Sequence, residues 1–444
     1  MKLKEAAEYL FSEAQKKGLT EFDIIGEISE SIGAEIFEKK ISNTDMSYRT
    51  GIGIRIFRDG KPGISFTEKF SKEAIFQTLN DAISNSKLTD SIGIELPGVH
   101  DTEIIDFQTY NSDLDQVNFD DLVNLGLELE KYGLSIDSRI ENVPYVGASK
   151  SYSEGILQNS KGLLYERKFN SVSAWVGVTA KNSDSKKMGF YSNSYRSFQE
   201  FSADFMAKIA VERATELLGA ESIPSGKYPV VFSNRISSSI IGMFLSPYYA
   251  EVVQKGQSRL AEKLEKKIAS DCLTITCNPL LVGMPGSRQF DSEGVPTYKK
   301  KIIENGVLKT FLYNLESAKK GGVKSTGNGS RSYSGKAGTG VTNLLVDKGN
   351  QSLEKLLKVY PECLYITKLE GASGCSALSG DISIGAQGFL YKNGERVKPI
   401  DKITLSTNYF DLIQKIIALS NEYLDSYSSF KVPDILVEEI YVAG

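Results

Sequence analysis

The order of strand-like and helix-like segments is what most restricts the fold of this chain. Two N-terminal runs, "DIIGEISESIGAEIFEKKISNTD" and "YRTGIGIRIFRDGKPGISFTE", alternate apolar and polar residues with the period of two expected of half-buried strands. Asp59–Gly60 supplies a hairpin turn inside the second run. Helical stripes flank them. Leu3, Ala6, Ala7, Leu10, Phe11 and Ala14 share one face from about Leu3 to Lys17, and Gly18 ends that helix. Ala74, Ile75, Leu79, Ala82 and Ile83 form the buried stripe of a helix over Lys72–Asn85. A second helix–strand unit begins at Asn118, with Leu122, Leu125 and Leu129 periodic up to Gly133, and strands follow over about 139–193. Ser197 and Glu200 have the spacing of a capping box and predict a long helix running to Gly219, with Phe201, Phe205, Ile209, Leu217 and Leu218 inward. Helices and strands mix without regular βαβ alternation, so the fold class predicted is α+β rather than a doubly wound parallel sheet.

The segment "GAESIPSGKYPV" (219–230), with Pro224, Gly226 and Pro229, reads as the main domain boundary. The expected organisation is an N-terminal α+β domain over 1–110, a central α+β segment over 111–222 able to pack with it, and a larger C-terminal domain over 223–444. The last is mainly strands, with hairpin turns at Asn305–Gly306 and Asn393–Gly394 and a final strand "DILVEEIYVAG". A charged helix near 251–269 and a strong helix over Asn408–Tyr423, carrying Leu412, Ile413, Ile416, Ile417 and Leu419, are expected within it.

Several chemistries are excluded. The net charge is −4 over 444 residues and no basic stripe exists, which argues against direct contact with nucleic acid. Lys299–Lys301 reads as a solvated hairpin edge. No run approaches the ~18 apolar residues of a membrane span, and the N-terminus lacks the apolar core of a signal peptide, so a cytoplasmic protein is expected. The four cysteines, Cys272, Cys277, Cys363 and Cys375, show no C-x-x-C spacing and read as reduced thiols. The only histidine, His100, sits in "LPGVHDTE", a polar linker, so neither a Ser-His-Asp triad nor a Cys-His pair is available. "SAKK" (Ser317–Lys320) fits S-x-x-K without its companion motifs, and "GNGSRSYSGKAG" (327–338) lacks the spacing of a phosphate loop. Three features remain. A Gly/Ser-rich loop over 325–343 reads as a flexible surface loop or as a donor of backbone N–H groups and hydroxyls to an extended peptide. The stretch "GSRQFDSEG" carries Arg288, Asp291 and Glu293, whose carboxylates could serve acid–base chemistry but have the composition of a turn. "ISSSIIGMFLSPYYA" (236–250) is apolar, with no charged residue between Arg235 and Glu251.

"ISNTDMSYRTGIGIRIFRDGKPGIS" (41–65), "GSRQFDSEGVPTYKKKIIENGVLKTFLYNLESAKK" followed by "STGNGSRS", and "GDISIGAQGFLYKNGERVKPIDKITLSTN" (380–408) together resemble the TldD/TldE family, also called PmbA or modulator of DNA gyrase. The resemblance runs over nearly the whole chain. It implies a C-terminal domain with a barrel-like antiparallel sheet and a two-subunit cytosolic metalloprotease that trims extended or unfolded peptides. One subunit, TldD, carries a His-Glu-x-x-x-His helix and a later Cys that hold zinc, whereas TldE/PmbA lacks these ligands. The corresponding place here, shortly before Ala269–Thr274, is about Ile241–Ser246, "IGMFLS", without His, Glu or Cys, and no Cys follows Cys375. The resemblance is therefore to the TldE/PmbA subunit. It implies no zinc in this chain, zinc in a TldD-like partner subunit, and a peptide substrate, with a homodimer as the alternative assembly. Ile241, Phe244, Tyr248, Arg288, Thr326, Asn328 and Arg331 are the candidate peptide or partner contacts. The alternatives are a regulatory binding protein linked to DNA gyrase or another topoisomerase, and an independent peptidase using Asp291 and Glu293.

Overall fold

Helix α1 (Leu3–Lys16), strands β1 (Phe22–Phe37), β2 (Lys40–Arg58) and β3 (Lys61–Thr67), and helix α2 (Lys72–Asn85) make a first unit. Helix α3 (Phe119–Ser135), strands β4 (Ile140–Asn159), β5 (Leu164–Lys181) and β6 (Lys186–Tyr195), and helix α4 (Ala203–Thr215) repeat the same order. The computed structural model describes residues 1–98 and 103–444, so His100 lies outside the described residues. The two units share one antiparallel sheet in the order β3-β2-β1-β4-β5-β6. Its centre is the pairing of β1 with β4, from Asp23 opposite Asn159 to Glu35 opposite Gly147.

Period-two alternation sends even-numbered residues of the central strands to one face, and all four helices cover that face. Ile24, Ile52, Ile54 and Ile156 meet Leu3 and Leu10 of α1 and Ile75 and Leu79 of α2. Ala148, Val172, Ala174 and Val176 meet Leu122 and Leu129 of α3 and Met206 and Ala210 of α4. Each large aliphatic side chain so buried contributes about 1.5–3 kcal/mol. Asn118 caps α3 reciprocally: its side chain accepts the Asp121 N–H, and the Asp121 carboxylate accepts the Asn118 N–H. The expected start of α4 at Ser197 is five residues early, since Ser202 is the cap. Residues Phe198–Glu200 form a single 3₁₀ turn, and Phe201 is extended. Phe201 there packs edge-on to Tyr195 and Phe198, a contact that a continuous helix would break.

The C-terminal domain is built on a closed, barrel-like sheet. Strand Gly226–Phe232 pairs with Glu362–Glu370, which pairs with Asp381–Lys392, then Glu395–Asn408, then Pro433–Ala443, which returns to the first strand. A smaller five-stranded sheet lies beside it. Asn305–Gly306 and Asn393–Gly394 make their hairpins, with all four residues at positive φ.

Three sequence expectations are corrected here. Only Tyr409–Leu412 of the predicted 408–423 helix is α-helical, and Ile416–Tyr423 is a strand. Ile416 and Leu419 lie opposite Val437 and Ile435, so sheet pairing overrides the helical stripe. The helix near 251–269 is confined to Ala250–Gln254. Gly256 at positive φ ends it, and Glu265 and Ile268 donate instead to Leu308 and Gly306. Lys300 is not on a solvated edge: it is buried, with Nζ 4.3 Å from the Tyr298 ring centre. Among the described residues no helix is long and apolar enough to cross a membrane.

Candidate functional site

The odd-numbered face of the sheet carries no helix. Paired residues on it form successive rows across the strands. The first is Arg55–Asp23–Asn159, followed by Gly53–Ile25–Leu157–Tyr165 and Gly51–Glu27–Gly155–Arg167. Beyond these come Arg49–Ser29–Ser153–Phe169, then Ser47–Ser31–Ser151–Ser171, then Asp45–Gly33–Ser149–Ser173–Ser194. The C-terminal domain sits on the first rows, and a serine-lined stretch extends out from under it.

Two glycines make the seat. A Cβ on Gly53 would stand 1.8 Å from the Tyr333 carbonyl oxygen, and one on Gly51 would stand 2.2 Å from the Tyr333 ring. Tyr333 comes from the 325–343 loop, and its hydroxyl donates to Glu68 Oε1 at 2.9 Å. That loop is therefore an ordered docking element. Thr326 and Asn328 are buried: Thr326 Oγ1 donates to Asn328 Oδ1 at 2.9 Å, and Asn328 Nδ2 to the Gly340 carbonyl at 2.8 Å.

In the first row a charge network joins the two halves. Arg55 donates from Nε and Nη2 to Asp23 Oδ2 (3.1 and 2.5 Å) and from Nη1 to Glu293 Oε1 (2.7 Å). Arg331 Nη2 lies 2.7 Å from Asp23 Oδ1. Glu293 Oε2 accepts the Leu315 N–H at 2.7 Å. Burial alone would depress the Arg55 guanidinium, but Asp23 and Glu293 together hold it above its ordinary value. At Arg331 burial outweighs Asp23, and its pKa is lowered.

Asp291 sits beside this network. Its Oδ1 accepts the N–H groups of Glu293 and Val295 at 2.8 and 3.0 Å, and Oδ2 that of Gly329 at 2.7 Å. Burial, then the charge of Glu293, pushes it up to about 7 against the pull of those N–H groups. A pKa near neutrality suits a general base. However, Asp291 and Glu293 are both about 1% exposed, and each carboxylate oxygen already accepts a hydrogen bond. Their geometry is that of a buried turn and an interdomain clamp.

Arg288, Asp291, Glu293 and Arg331 thus cluster at the junction. Thr326 and Asn328 bond within the C-terminal domain just before Gly329, which meets Asp291, and Ile241, Phe244 and Tyr248 lie elsewhere. Those three are at most 1% exposed and belong to the core of the C-terminal domain. Phe244 stacks on Tyr409 with centres 4.6 Å apart, and the Tyr248 and Tyr409 hydroxyls are 3.1 Å apart. The apolar character of 236–250 is explained by this core, and these side chains offer no surface to a peptide or partner. Sequence reading missed Asp23, Arg55, Arg167, Tyr333 and the serine face. The signal available was the period-two serine pattern in "SES", "SKSYS" and "SVS".

Models of three successive domains match this chain: PmbA/TldA metallopeptidase domain 1 over 22–86, the central domain over 112–218, and the C-terminal domain over 225–444. The chain belongs to the PmbA/TldD metallopeptidase family. Metalloprotease PmbA of Escherichia coli O157:H7 is 28% identical over 431 residues, covering 93% of each chain. A crystal structure from Thermotoga maritima, described as a modulator of a DNA gyrase, superposes with a TM-score of 0.90 at 29% identity and covers 100% of both chains. TldE of Thermococcus kodakarensis shares the fold, with a TM-score of 0.87 at 22% identity over 99% of this chain and 100% of its own.

The PmbA/TldD family resemblance places zinc on a helix of the TldD subunit, and the side chains at the corresponding helix of this chain do not suit it. Helix α5 (Asn234–Met243) and the turn after it present Ile240, Ile241, Met243 and Phe244, none of which can ligate zinc. Among the described residues no three His, Cys, Asp or Glu side chains converge as a metal site would require.

Proposed function

We propose that this chain is a cytoplasmic, non-catalytic subunit of a PmbA/TldD-type peptidase, holding extended or unfolded peptides for a zinc-bearing partner subunit that cuts them. The observation that carries this reading is the side-chain chemistry of α5. Where a His-Glu-x-x-x-His helix would hold metal and activate water, this chain has aliphatic residues packed into a core, and its sequence contains one histidine. The serine-lined face supports the holding role. Its hydroxyls can donate to or accept from any peptide backbone without selecting side chains. Ser173 and Ser194 are paired at 2.7 Å and Ser151 and Ser171 at 3.0 Å, which presets their positions.

The test is metal analysis and peptide cleavage. Purified alone, the chain is expected to hold far less than one zinc per molecule and to leave a fluorogenic extended peptide uncut. Cleavage should appear when a homologue carrying His-Glu-x-x-x-His is added. Stoichiometric zinc in the chain alone, with a peptidase activity lost on chelation, would overturn the proposal.

A further inference from the structure

A cavity of about 150 Å³ lies where the serine face passes under the C-terminal domain. Ile25, Glu27 and Gly155 form its floor, and Arg288, Asp291 and Arg331 close it from above. Ser153 lines both this cavity and an open hollow of about 440 Å³ along Ser29, Ser31 and Ser47, so the two are neighbours.

The cations here are unevenly used. Arg331 is committed to Asp23. Arg288 makes no side-chain hydrogen bond or ion pair among the described residues, and its Nε is shut off from solvent. Burial holds its pKa below the ordinary value, although Asp291 opposes this. A guanidinium in that condition is poorly compensated, and a carboxylate offers it two parallel hydrogen bonds. Arg167, exposed at the same cavity, is also unpaired among the described residues and repels Arg288. Lys300 is a further buried cation: its Nζ has no hydrogen-bond partner among the described residues, and it also feels the charge of Arg288. On the opposing side, Asp291 is satisfied by backbone N–H groups, and Glu27, unpaired among the described residues, contributes a carboxylate to the floor.

We propose that this cavity is a carboxylate-binding site in which Arg288 grips the C-terminal carboxylate of a peptide lying along the serine face, with Arg167 at the same site. The volume supports a terminal group: it is well below the ~300–1,000 Å³ of pockets that enclose a drug-sized ligand. The chemistry stands on the cavity itself, and only the identity of the occupant rests on the peptide-holding reading. Glu27 gives the site a sign test, since removing its charge should strengthen carboxylate binding, whereas removing that of Arg288 or Arg167 should weaken it.

The experiment uses the full chain alone, without metal or partner, so its outcome is independent of the zinc test above. Fluorescence anisotropy is measured with an N-terminally labelled Ala/Ser hexapeptide as the free acid and as the C-terminal amide, with N-acetylalanine and inorganic phosphate as competitors. The free acid is expected to bind at least ten-fold tighter than the amide. Arg288→Gln should abolish that difference, Arg167→Gln should narrow it, and Glu27→Gln should widen it. Arg288→Lys, which keeps the charge, checks that any loss is not a loss of folding. If N-acetylalanine displaces the peptide as effectively as the free hexapeptide acid does, the site stands and its natural occupant is a small carboxylate. Equal binding of acid and amide, or displacement by phosphate with no dependence on Arg288, would overturn the proposal.

Discussion

Replacing Arg55 with Met tests whether the buried charge network clamps the sheet to the C-terminal domain. Arg55 makes three hydrogen bonds, two to Asp23 and one to Glu293, and is about 3% exposed. Without it Glu293 Oε1 loses its donor, while Oε2 keeps the Leu315 N–H. Asp23 keeps one cation, Arg331 at 2.7 Å. Removing one partner from a buried ion pair costs about 3–5 kcal/mol, mostly because a charge is left uncompensated. Here two carboxylates lose a partner and each retains another contact, which places Arg55→Met near ~4 kcal/mol, or roughly a thousand-fold in the folding equilibrium. Urea denaturation followed by Trp175, the only tryptophan and a residue of β5, reads this loss in the sheet itself. Adding Glu293→Gln removes the orphaned charge while leaving an acceptor for Leu315, so the double variant should regain more than half of the loss. A cost below ~1 kcal/mol for Arg55→Met, or no recovery in the double variant, would refute the clamp, since exposed ion pairs are worth no more than that.

Further expectations concern the same junction. Asp291 has a folded pKa of about 7 against an ordinary 3.8. Its contribution to stability is present in full below about pH 4 and lost as pH rises through about 7, at up to ~1.4 kcal/mol per pH unit. Urea midpoints at pH 5 and pH 8 should differ less in Asp291→Asn than in the parent, whatever the variant costs at pH 5. Gly51→Ala should destabilise by ~1–3 kcal/mol through overpacking against the Tyr333 ring, and much of that should vanish in a Tyr333→Ala background. Gly53→Ala meets the Tyr333 backbone carbonyl, so Tyr333→Ala should not rescue it, and thermal denaturation of the four variants separates the two cases. Tyr248→Phe should cost about 1 kcal/mol by removing its hydroxyl contact with Tyr409, with no effect on peptide binding.

Where one local signal dominated, the sequence was a good guide. The stripe of α1, the start of a helix at Asn118 and the three Asx–Gly hairpins needed no tertiary information. The α+β class followed from the adjacency of strands without intervening helices. It was less reliable where two periods overlapped. In "IIALSNEY" the apolar residues satisfy a helix and a strand equally well, and pairing with Pro433–Ala443 decides between them. The junction could not be read because its members are distant in sequence: Asp23 and Arg55 meet Glu293 and Arg331 only once both domains are in place. "GIG" at 51–53 could be read as strand, but the reason for its glycines is a tyrosine 280 residues later. The apolar stretch at 236–250 was legible in its lack of ligands and misleading as a surface, because silence in charge is equally the mark of a core.

The pairing of β1 with β4 has a consequence for synthesis. As the chain leaves the ribosome, β1 must wait for more than a hundred further residues before β4 arrives to cover its inner edge. At about 5–20 residues per second, the gap between the end of β6 and the arrival of Tyr333 is roughly seven to thirty seconds. During that time the glycine seat is open to solvent, and Asp23 and Arg55 have each other but not yet Arg331 and Glu293. The nascent N-terminal sheet therefore spends its first moments as a polar, serine-faced platform that its own C-terminal domain has yet to reach. The three rows beyond the seat carry mostly serines and a single aromatic, Phe169, so little apolar surface is exposed in them before the second half docks.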